Sequence, residues 1–496
     1  MQNNEYYKIL YNDVDLDSIA VIDNEKTIDY KSLFALIEKL CVILQQMGIS
    51  PNDRICLLLS NSIEFIISYY SLNKLGAIVV PIDYNAKLDV IEYIIGNSGA
   101  TFLITDLSKP IDLSYNNIKT HEIKKDIDKY ELNIIPLIHS KNIDTPNIDS
   151  DTNLIIFTTG TTGFKKGVIL TNNAIINATN AIKAMMKIPE KPTEIIAMPL
   201  SRSFGLARMR CVFSNGGTIV LSKGLLNPAF FIKQIIDLKV IGFGLVPAGI
   251  RILTSKFSSY LNKLGSQIQY IELGSSEFDP DEKTNLQKLM PNTNIFMHYG
   301  LTEASRSTFL NFKNSDKIHT IGKPLPGVKI AICDNDFNFL DTNECGRILI
   351  NSEWMTSGYF GEDLNSCFFK QWLITDDIGK IDNDGYIYFI SRESDIINFL
   401  GYKFSPIEIE RVINNSGLVN ESCVILAQNP NPHIVAFIII NERNLTLSKN
   451  LKEICAQKLE SYKIPSDFIV CEKIEKTDSG KIKRKMMNEK YFGKSN

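Results

Sequence analysis

No two of the nine cysteines stand in a CxxC pair, and the set (Cys41, Cys56, Cys211, Cys333, Cys345, Cys367, Cys423, Cys455, Cys471) is scattered along the chain. That pattern gives neither a zinc-ligand spacing nor a disulfide framework. An odd, dispersed set predicts reduced thiols in a cytoplasmic protein. An excess of one charge is also missing: 53 Lys and Arg against 56 Asp and Glu leave a formal charge of −3. The balance supplies no basic footprint for nucleic acid or an anionic membrane. Long apolar runs are absent too. The most apolar stretch, 62–82, is broken by Glu64, Asn73, Lys74 and Pro81, whereas a spanning helix needs about 20 mostly apolar residues. It predicts buried elements and no membrane span. The first residues, MQNNEYYKILYNDVDLD, carry neither a basic start nor an apolar core of signal-peptide length. The Walker spacing GxxxxGK[ST] occurs nowhere, which disfavours a P-loop NTPase. The nearest dinucleotide fingerprint, GFGLVP (242–247), has Pro247 where the third glycine is needed, and it reads as a core strand. No internal repeat is apparent.

What is present has the length of two or three domains, 496 residues, with the 44% hydrophobic and 22% charged content of an ordinary globular protein. In 30–47 the apolar residues Leu33, Leu36, Ile37, Leu40, Val42 and Leu44 fall at helical spacing, ending at Gly48 with Pro51 beyond. ICLLLS (55–60) and AIVVPI (77–82) are continuous apolar runs, expected of strands buried on both faces. Strands alternating with helices predict an α/β fold with mostly parallel sheets. The Asn-, Asp- and Lys-rich stretch 109–151 reads as a variable connection with little core. Apolar strands then recur at 153–158, 193–198, 217–221, 240–246 and 269–273. After GYIYFI (385–390) a polar joint, SRESD (391–395), precedes a helix-like 406–415, strand-like 423–427 and 435–440, and a helix at 451–459. These elements predict a small C-terminal α+β domain, 392–496, behind a large N-terminal domain, 1–391.

The segment FTTGTTGFKKGV (157–168) follows the strand NLIIFT directly. Gly160, Gly163 and Gly167 let backbone approach a ligand closely. The hydroxyls of Thr158, Thr159, Thr161 and Thr162, with freed backbone amides, can donate to phosphate oxygens, and Lys165 and Lys166 bring positive charge. The plain alternative is a solvated Thr/Gly/Lys turn.

At this segment the chain resembles the adenylate-forming superfamily of acyl-CoA synthetases, luciferases and peptide-synthetase adenylation domains, whose phosphate loop is usually TSGTTGxPKGV. The resemblance covers nearly the whole chain, with motifs in the family's order: LGAIVVPID, IELGSSEF (271–278), HYGLTEAS (298–305), IGKPLPGVKI (321–330), SGYFG (357–361), WLITDDIG (372–379), SRESDIINFLGYKFSPIEIE (391–410) and EKTDSGKIKR (475–484). Four departures stand out. Lys165 and Glu475 replace prolines, Asp376 replaces a glycine, and Ser394 stands where Asp or Lys is usual.

The resemblance implies ATP and Mg²⁺ as cofactors, a small carboxylic acid as substrate, and CoA or a carrier protein's phosphopantetheine as acceptor. The loop, from Thr158 through Gly163 with Lys166, would hold the β- and γ-phosphates. Glu303 would bind Mg²⁺, which prefers hard oxygen ligands, and Thr302 would face the α-phosphate. Tyr299, before Gly300, would cover adenine, with Gly274, Ser275 and Ser276 opposite; a core tyrosine is its bland alternative. Asp377 would accept from the ribose hydroxyls, and Arg392 would reach ribose or phosphate. Lys481 would bridge the attacking carboxylate and the α-phosphate, although a basic run such as KIKRK is usually a solvated end. Ser394 would be the pivot, and Gly401, Tyr402 and Lys403 would face the thiol.

The acid pocket would be lined by PLSRSFGL (199–206), the 271–278 turn and residues before Gly300, including Arg202, Ser203 and His298. Amino-acid-activating relatives place an aspartate in the first segment, and here none is present. Arg202 could attract a second carboxylate or a polar acyl group, or lie along the rim. The residues leave open a CoA ligase, a ligase loading a carrier protein, a luciferase-like oxygenase and a nucleotide-binding regulator without activity.

Overall fold

The structure is a computed structural model that describes residues 14–493, apart from 25, 107–118, 121–122, 128–129, 139–147, 160–164, 364, 401, 429–430, 441–445 and 477–480. It divides into two compact units. The first comprises Met1–Gly274, Phe278–Lys329 and Ile350–Leu373; the second comprises Ser275–Glu277, Ile330–Leu349 and Ile374–Asn496.

Continuous apolar runs become strands whose alternate side chains enter two different cores. In the first unit Arg54–Leu58 pairs in parallel with Ile78–Pro81 and Phe102–Thr105. Leu57, Val79 and Ile104 point into one cluster, while Cys56, Leu58, Val80 and Leu103 point into another. A second nine-stranded sheet runs in the order Lys323–Pro324, Ser305–Asn311, Asn294–Leu301, Tyr270–Leu273, Gly242–Leu245, Thr193–Ile196, Thr218–Leu221, Ile19–Asp23 and Lys26–Asp29. Its interior pairings are parallel and its edges antiparallel. The expected mostly parallel α/β architecture is therefore present, and Gly242–Leu245 is the buried core strand expected of GFGLVP.

One core fills the space between the two sheets. Helix Tyr30–Gln46 enters it with Leu33, Ile37, Leu40 and Leu44, and Asp29 caps its start by accepting the Ser32 amide at 2.7 Å. Helix Ile63–Leu75 is buried almost all round and ends at Gly76, so the apolar stretch 62–82 is a core helix followed by a strand. No helix among the described residues is long and apolar enough to cross a membrane.

The reading of 109–151 needs correction. Tyr130–Ile138 is a nine-residue strand pairing antiparallel with Phe102–Thr105. Leu132 and Ile134 join one core and Ile135 and Leu137 the other. The polar residues around ELNIIPLI masked a short strand whose two faces are both buried.

In the second unit a three-stranded sheet of Glu421–Ala427, His433–Ile439 and Asp467–Val470 carries helices Pro406–Asn414, Leu447–Lys458 and Arg484–Phe492. Val424 packs with Ile409, Ile413 and Leu451, whereas its neighbours Cys423 and Ile425 pack with Phe437 and Met487. This is the α+β pattern expected of the C-terminal residues. All nine cysteines are free; eight are buried and Cys345 is exposed.

Candidate active site

The phosphate-loop sequence lies on a hairpin. Strands Thr152–Thr159 and Lys165–Thr171 pair antiparallel, placing Lys166 opposite Thr158 and Lys165 opposite Thr159. Gly160, Thr161, Thr162 and Gly163 lie outside the described residues. Tyr359–Phe360 adds to the outer edge of the same hairpin, with Phe360 opposite Gly167. That pairing brings the Tyr359 ring to 4.5 Å from Lys166 Nζ, which also meets the Glu362 carboxylate at 3.0 Å.

Strand Asn294–Leu301 delivers the next group. A bulge falls between Tyr299 and Gly300. At Gly300 a Cβ would overlap the carbonyl oxygen of Ser305, so only glycine fits. The chain then makes a single helical turn, Thr302–Ala304. The Glu303 carbonyl accepts the Thr356 amide at 2.7 Å, and its carboxylate accepts the Tyr359 hydroxyl at 3.0 Å. Lys166, Tyr359 and Glu303 thus form one continuous line beside the hairpin. Tyr359 and Glu362 were not singled out from the sequence; the SGYFG string marked the place but not the role.

Behind the 199–206 segment lies a buried charge network. Arg202 immediately precedes helix Ser203–Phe213, and its guanidinium pairs with Asp83 at 3.1 Å. One and a half turns on, Arg208 is buried between Glu194 (2.7 Å through Nε) and Glu272 (3.1 Å). Glu272 also receives Arg306 Nε at 2.9 Å and lies 2.7 Å from His298 Nδ1. Burial pushes the Glu272 carboxyl up, but Arg306, His298 and Arg208 outweigh it and hold it well below the usual range. Burial pushes the His298 imidazole down, partly offset by Glu272. His298 packs edge-on against Phe204, with ring centroids 5.0 Å apart, and fills the space beside Gly274, where a Cβ would overlap the imidazole. Ser203 contributes its carbonyl to Arg306 at 3.5 Å. Ser275, directly after Gly274, has φ +77°, a left-handed conformation a serine adopts only under strain, and Ser276 follows it. The signal for this network was present in the sequence: Glu194 and Glu272 are single charges inside apolar strands.

In the second unit, antiparallel strands Trp372–Ile381 and Ile387–Arg392 set Asp377 opposite Arg392. The Asp377 carboxylate is buried and lies 3.5 Å from Arg392 Nε, so two residues distant in sequence meet as one pair. Asp376 is exposed. Ser394 sits in the turn Glu393–Asp395, between Glu393, paired with Arg347, and Asp395, paired with Arg484. Tyr402 is exposed and stacks on Tyr462 at 4.0 Å. Gly401 lies outside the described residues; Lys403 is on the strand Tyr402–Phe404. Lys481 immediately precedes Ile482, which bridges back to Lys476. Glu475, the residue in proline's place, pairs with Lys490 at 3.2 Å and Lys473 at 3.5 Å.

No cluster of three metal-binding side chains occurs among the described residues. A single carboxylate, Glu303, oriented by a phenol, nevertheless suits Mg²⁺, which takes one or two carboxylates together with phosphate oxygens.

Residues 12–360 match the family described as AMP-binding enzyme, and residues 408–481 match the AMP-binding enzyme C-terminal domain. The oxalate–CoA ligase of Arabidopsis thaliana is 24% identical over 91% of both chains. A long-chain-fatty-acid–CoA ligase of Mycobacterium tuberculosis is 26% identical over 93% of both. Among solved structures, the o-succinylbenzoate CoA synthetase of Bacillus subtilis, held with its acyl-adenylate intermediate, superposes with a TM-score of 0.84 at 23% identity over 98% of both chains.

Proposed function

The chain belongs to the AMP-binding enzyme family, and on that premise we propose that it activates a carboxylic acid with ATP as acyl-AMP and passes the acyl group to coenzyme A. In the first step a carboxylate oxygen bonds to the α-phosphorus, the bond to the bridging oxygen breaks, and pyrophosphate leaves. In the second a thiol sulfur attacks the acyl carbon and AMP leaves. Both reactants of the first step are anions, so the protein must position them and neutralise charge.

The observation that carries this reading is the line Lys166–Tyr359–Glu303 beside the phosphate hairpin. Lys166 and the loop threonines would hold the outer phosphates. Glu303 would hold Mg²⁺, which neutralises phosphate charge when bound. Thr302 lies next to it on the same turn and would meet the α-phosphate. Asp377 would accept from the ribose, with Arg392 beside it as a donor. Tyr299, Gly274 and Ser275 would enclose adenine. Lys481 would bridge the carboxylate and the α-phosphate, and Tyr402 and Lys403 would face the thiol. We place the pivot between the half-reactions at Ser394, in the polar joint 391–395, and the protein in the cytoplasm, where nine unpaired cysteines stay reduced.

The acid is not an α-amino acid on this reading. The 199–206 segment carries no aspartate, and Asp83, which meets it, is already paired with Arg202. The relatives' names run from a two-carbon diacid to long-chain fatty acids, so the acid must come from assay. The test is acid-dependent exchange of pyrophosphate into ATP with acetate, oxalate, benzoate, octanoate, palmitate and the proteinogenic amino acids. CoA thioester formation is then measured with each active acid. Exchange without transfer to CoA would point to a carrier protein as acceptor. No exchange with any acid would overturn the reading.

A further inference from the structure

Three residues past Lys481 the chain enters helix Arg484–Phe492, and the first residue of that helix is held on two sides. The Arg484 guanidinium donates to both oxygens of Glu410, at 2.7 and 2.6 Å, and to Asp395 Oδ2 at 3.3 Å. Glu410 is itself fixed. It lies on helix Pro406–Asn414, is buried, and accepts the Val424 amide at 2.7 Å. Asp395 belongs to the polar joint, one residue after Ser394. Just before Arg484, the Lys483 amide donates to the Glu475 carbonyl at 2.8 Å and Ile482 bridges to Lys476. Arg484 therefore joins three parts of the second unit: the strand core, the joint and the segment that carries Lys481.

A largely buried arginine–carboxylate pair, in which one guanidinium nitrogen (Nη2) meets both Glu410 oxygens, is a poor choice if stability is the only return, because desolvation of both ions offsets most of the attraction. What it supplies is a fixed direction in a low-dielectric site. We propose that Arg484 is a positioning residue for Lys481, holding the lysine's segment in register with the joint so that the first half-reaction can occur. The proposal rests on the role given to Lys481 above. It adds a residue that touches no substrate.

The test uses Arg484→Gln, Arg484→Lys and Asp395→Asn in the full chain. The fastest acid of the panel is supplied free for pyrophosphate exchange and as its synthetic acyl adenylate for thioester formation with CoA. Misplacement of a catalytic group by about 1 Å costs roughly 100-fold, so Arg484→Gln should lose about that factor in exchange and keep thioester formation from the adenylate. Arg484→Lys should recover part of the loss. Asp395→Asn removes only the partly exposed partner, should remain folded, and should show a smaller loss in the same half-reaction. Hydrogen exchange of the amides at 481–483, read without substrate, should quicken in Arg484→Gln. Equal loss of both half-reactions would make Arg484 merely structural and overturn the proposal, as would unchanged amide exchange. If wild-type protein exchanges pyrophosphate with no acid while the 481–483 amides still loosen, the functional reading fails and the structural coupling stands.

Discussion

The phenol of Tyr359 donates to the Glu303 carboxylate at 3.0 Å while the face of the same ring lies 4.5 Å from the Lys166 ammonium. One side chain therefore orients the proposed metal ligand and the proposed phosphate-binding cation together. A hydroxyl that fixes a ligating carboxylate is worth roughly 10- to 100-fold in metal affinity. Tyr359→Phe should raise the Mg²⁺ concentration needed for half-maximal pyrophosphate exchange by about 10-fold or more, with the KM of the acid unmoved. A magnesium titration at saturating ATP checks this, and an unchanged midpoint would remove Tyr359 from the site.

Lys481→Ala should abolish adenylate formation and leave thioester formation from preformed acyl-AMP largely intact. On the proposed role its ammonium is needed only where two anions meet, and thiolysis forms no such pair. Parallel loss of both half-reactions would end this assignment.

Because Arg202 is paired with Asp83, its guanidinium offers little net charge to an incoming acid. Asp83→Asn should release it. A charge-assisted bond is worth about 1.5–3 kcal/mol, so the ratio of oxalate to benzoate turnover should rise about 10-fold or more. If the ranking of acids is the same in Asp83→Asn and Arg202→Ala as in wild type, the pair only braces the rim.

The network around Arg208 predicts a stability loss distinct from any loss of activity. Arg208→Ala would leave Glu194 and Glu272 buried with one fewer counter-charge, at a cost of about 3–5 kcal/mol. Urea unfolding measures it. The double change Arg208→Met with Glu194→Gln should recover a substantial part, since an apolar or neutral replacement avoids the unpaired ion.

Glu410 gives a pH signature. Burial, opposed by Arg484 and the Val424 amide and reinforced by Glu277, pushes its carboxyl up to about 7. Asp395 shares the same arginine, and the nearby Cys423 thiol is itself pushed up chiefly by burial. A folded-state value above the unfolded 4.5 means that the folded chain holds a proton the unfolded chain has released. The stability from this group is complete below 4.5 and is lost as pH rises through about 7. Unfolding free energies of Glu410→Gln should lack that fall while being lower throughout. An identical slope in the variant and wild type would rule Glu410 out.

Much of this was legible in the chain because its signals are local. Leu33, Ile37, Leu40 and Leu44 at helical spacing gave the first long helix almost to the residue. ICLLLS and AIVVPI gave parallel strands, since a strand buried on both faces has no polar alternation to confuse it. The motif strings marked Lys166, Glu303 and Asp377 as candidates for the same reason. What escaped depends on pairing between distant segments. Nothing near Tyr359 in sequence says that its edge strand will lie along Gly167 and Val168. Arg484 looks like one more cation in KIKRK until Glu410, 74 residues earlier, is found beneath it. The strand Tyr130–Ile138 was hidden by polar flanks that carry no information about burial.

The cysteines of the second unit have a practical consequence. Cys345 is the one exposed thiol of the nine, and the other eight are buried, several with their ionisation pushed up by that burial. A maleimide dye added to the native, unmutated chain would therefore attach at a single known position on the unit that carries Lys481. The sequence thus comes with its own labelling handle, a single reactive thiol available without engineering a residue.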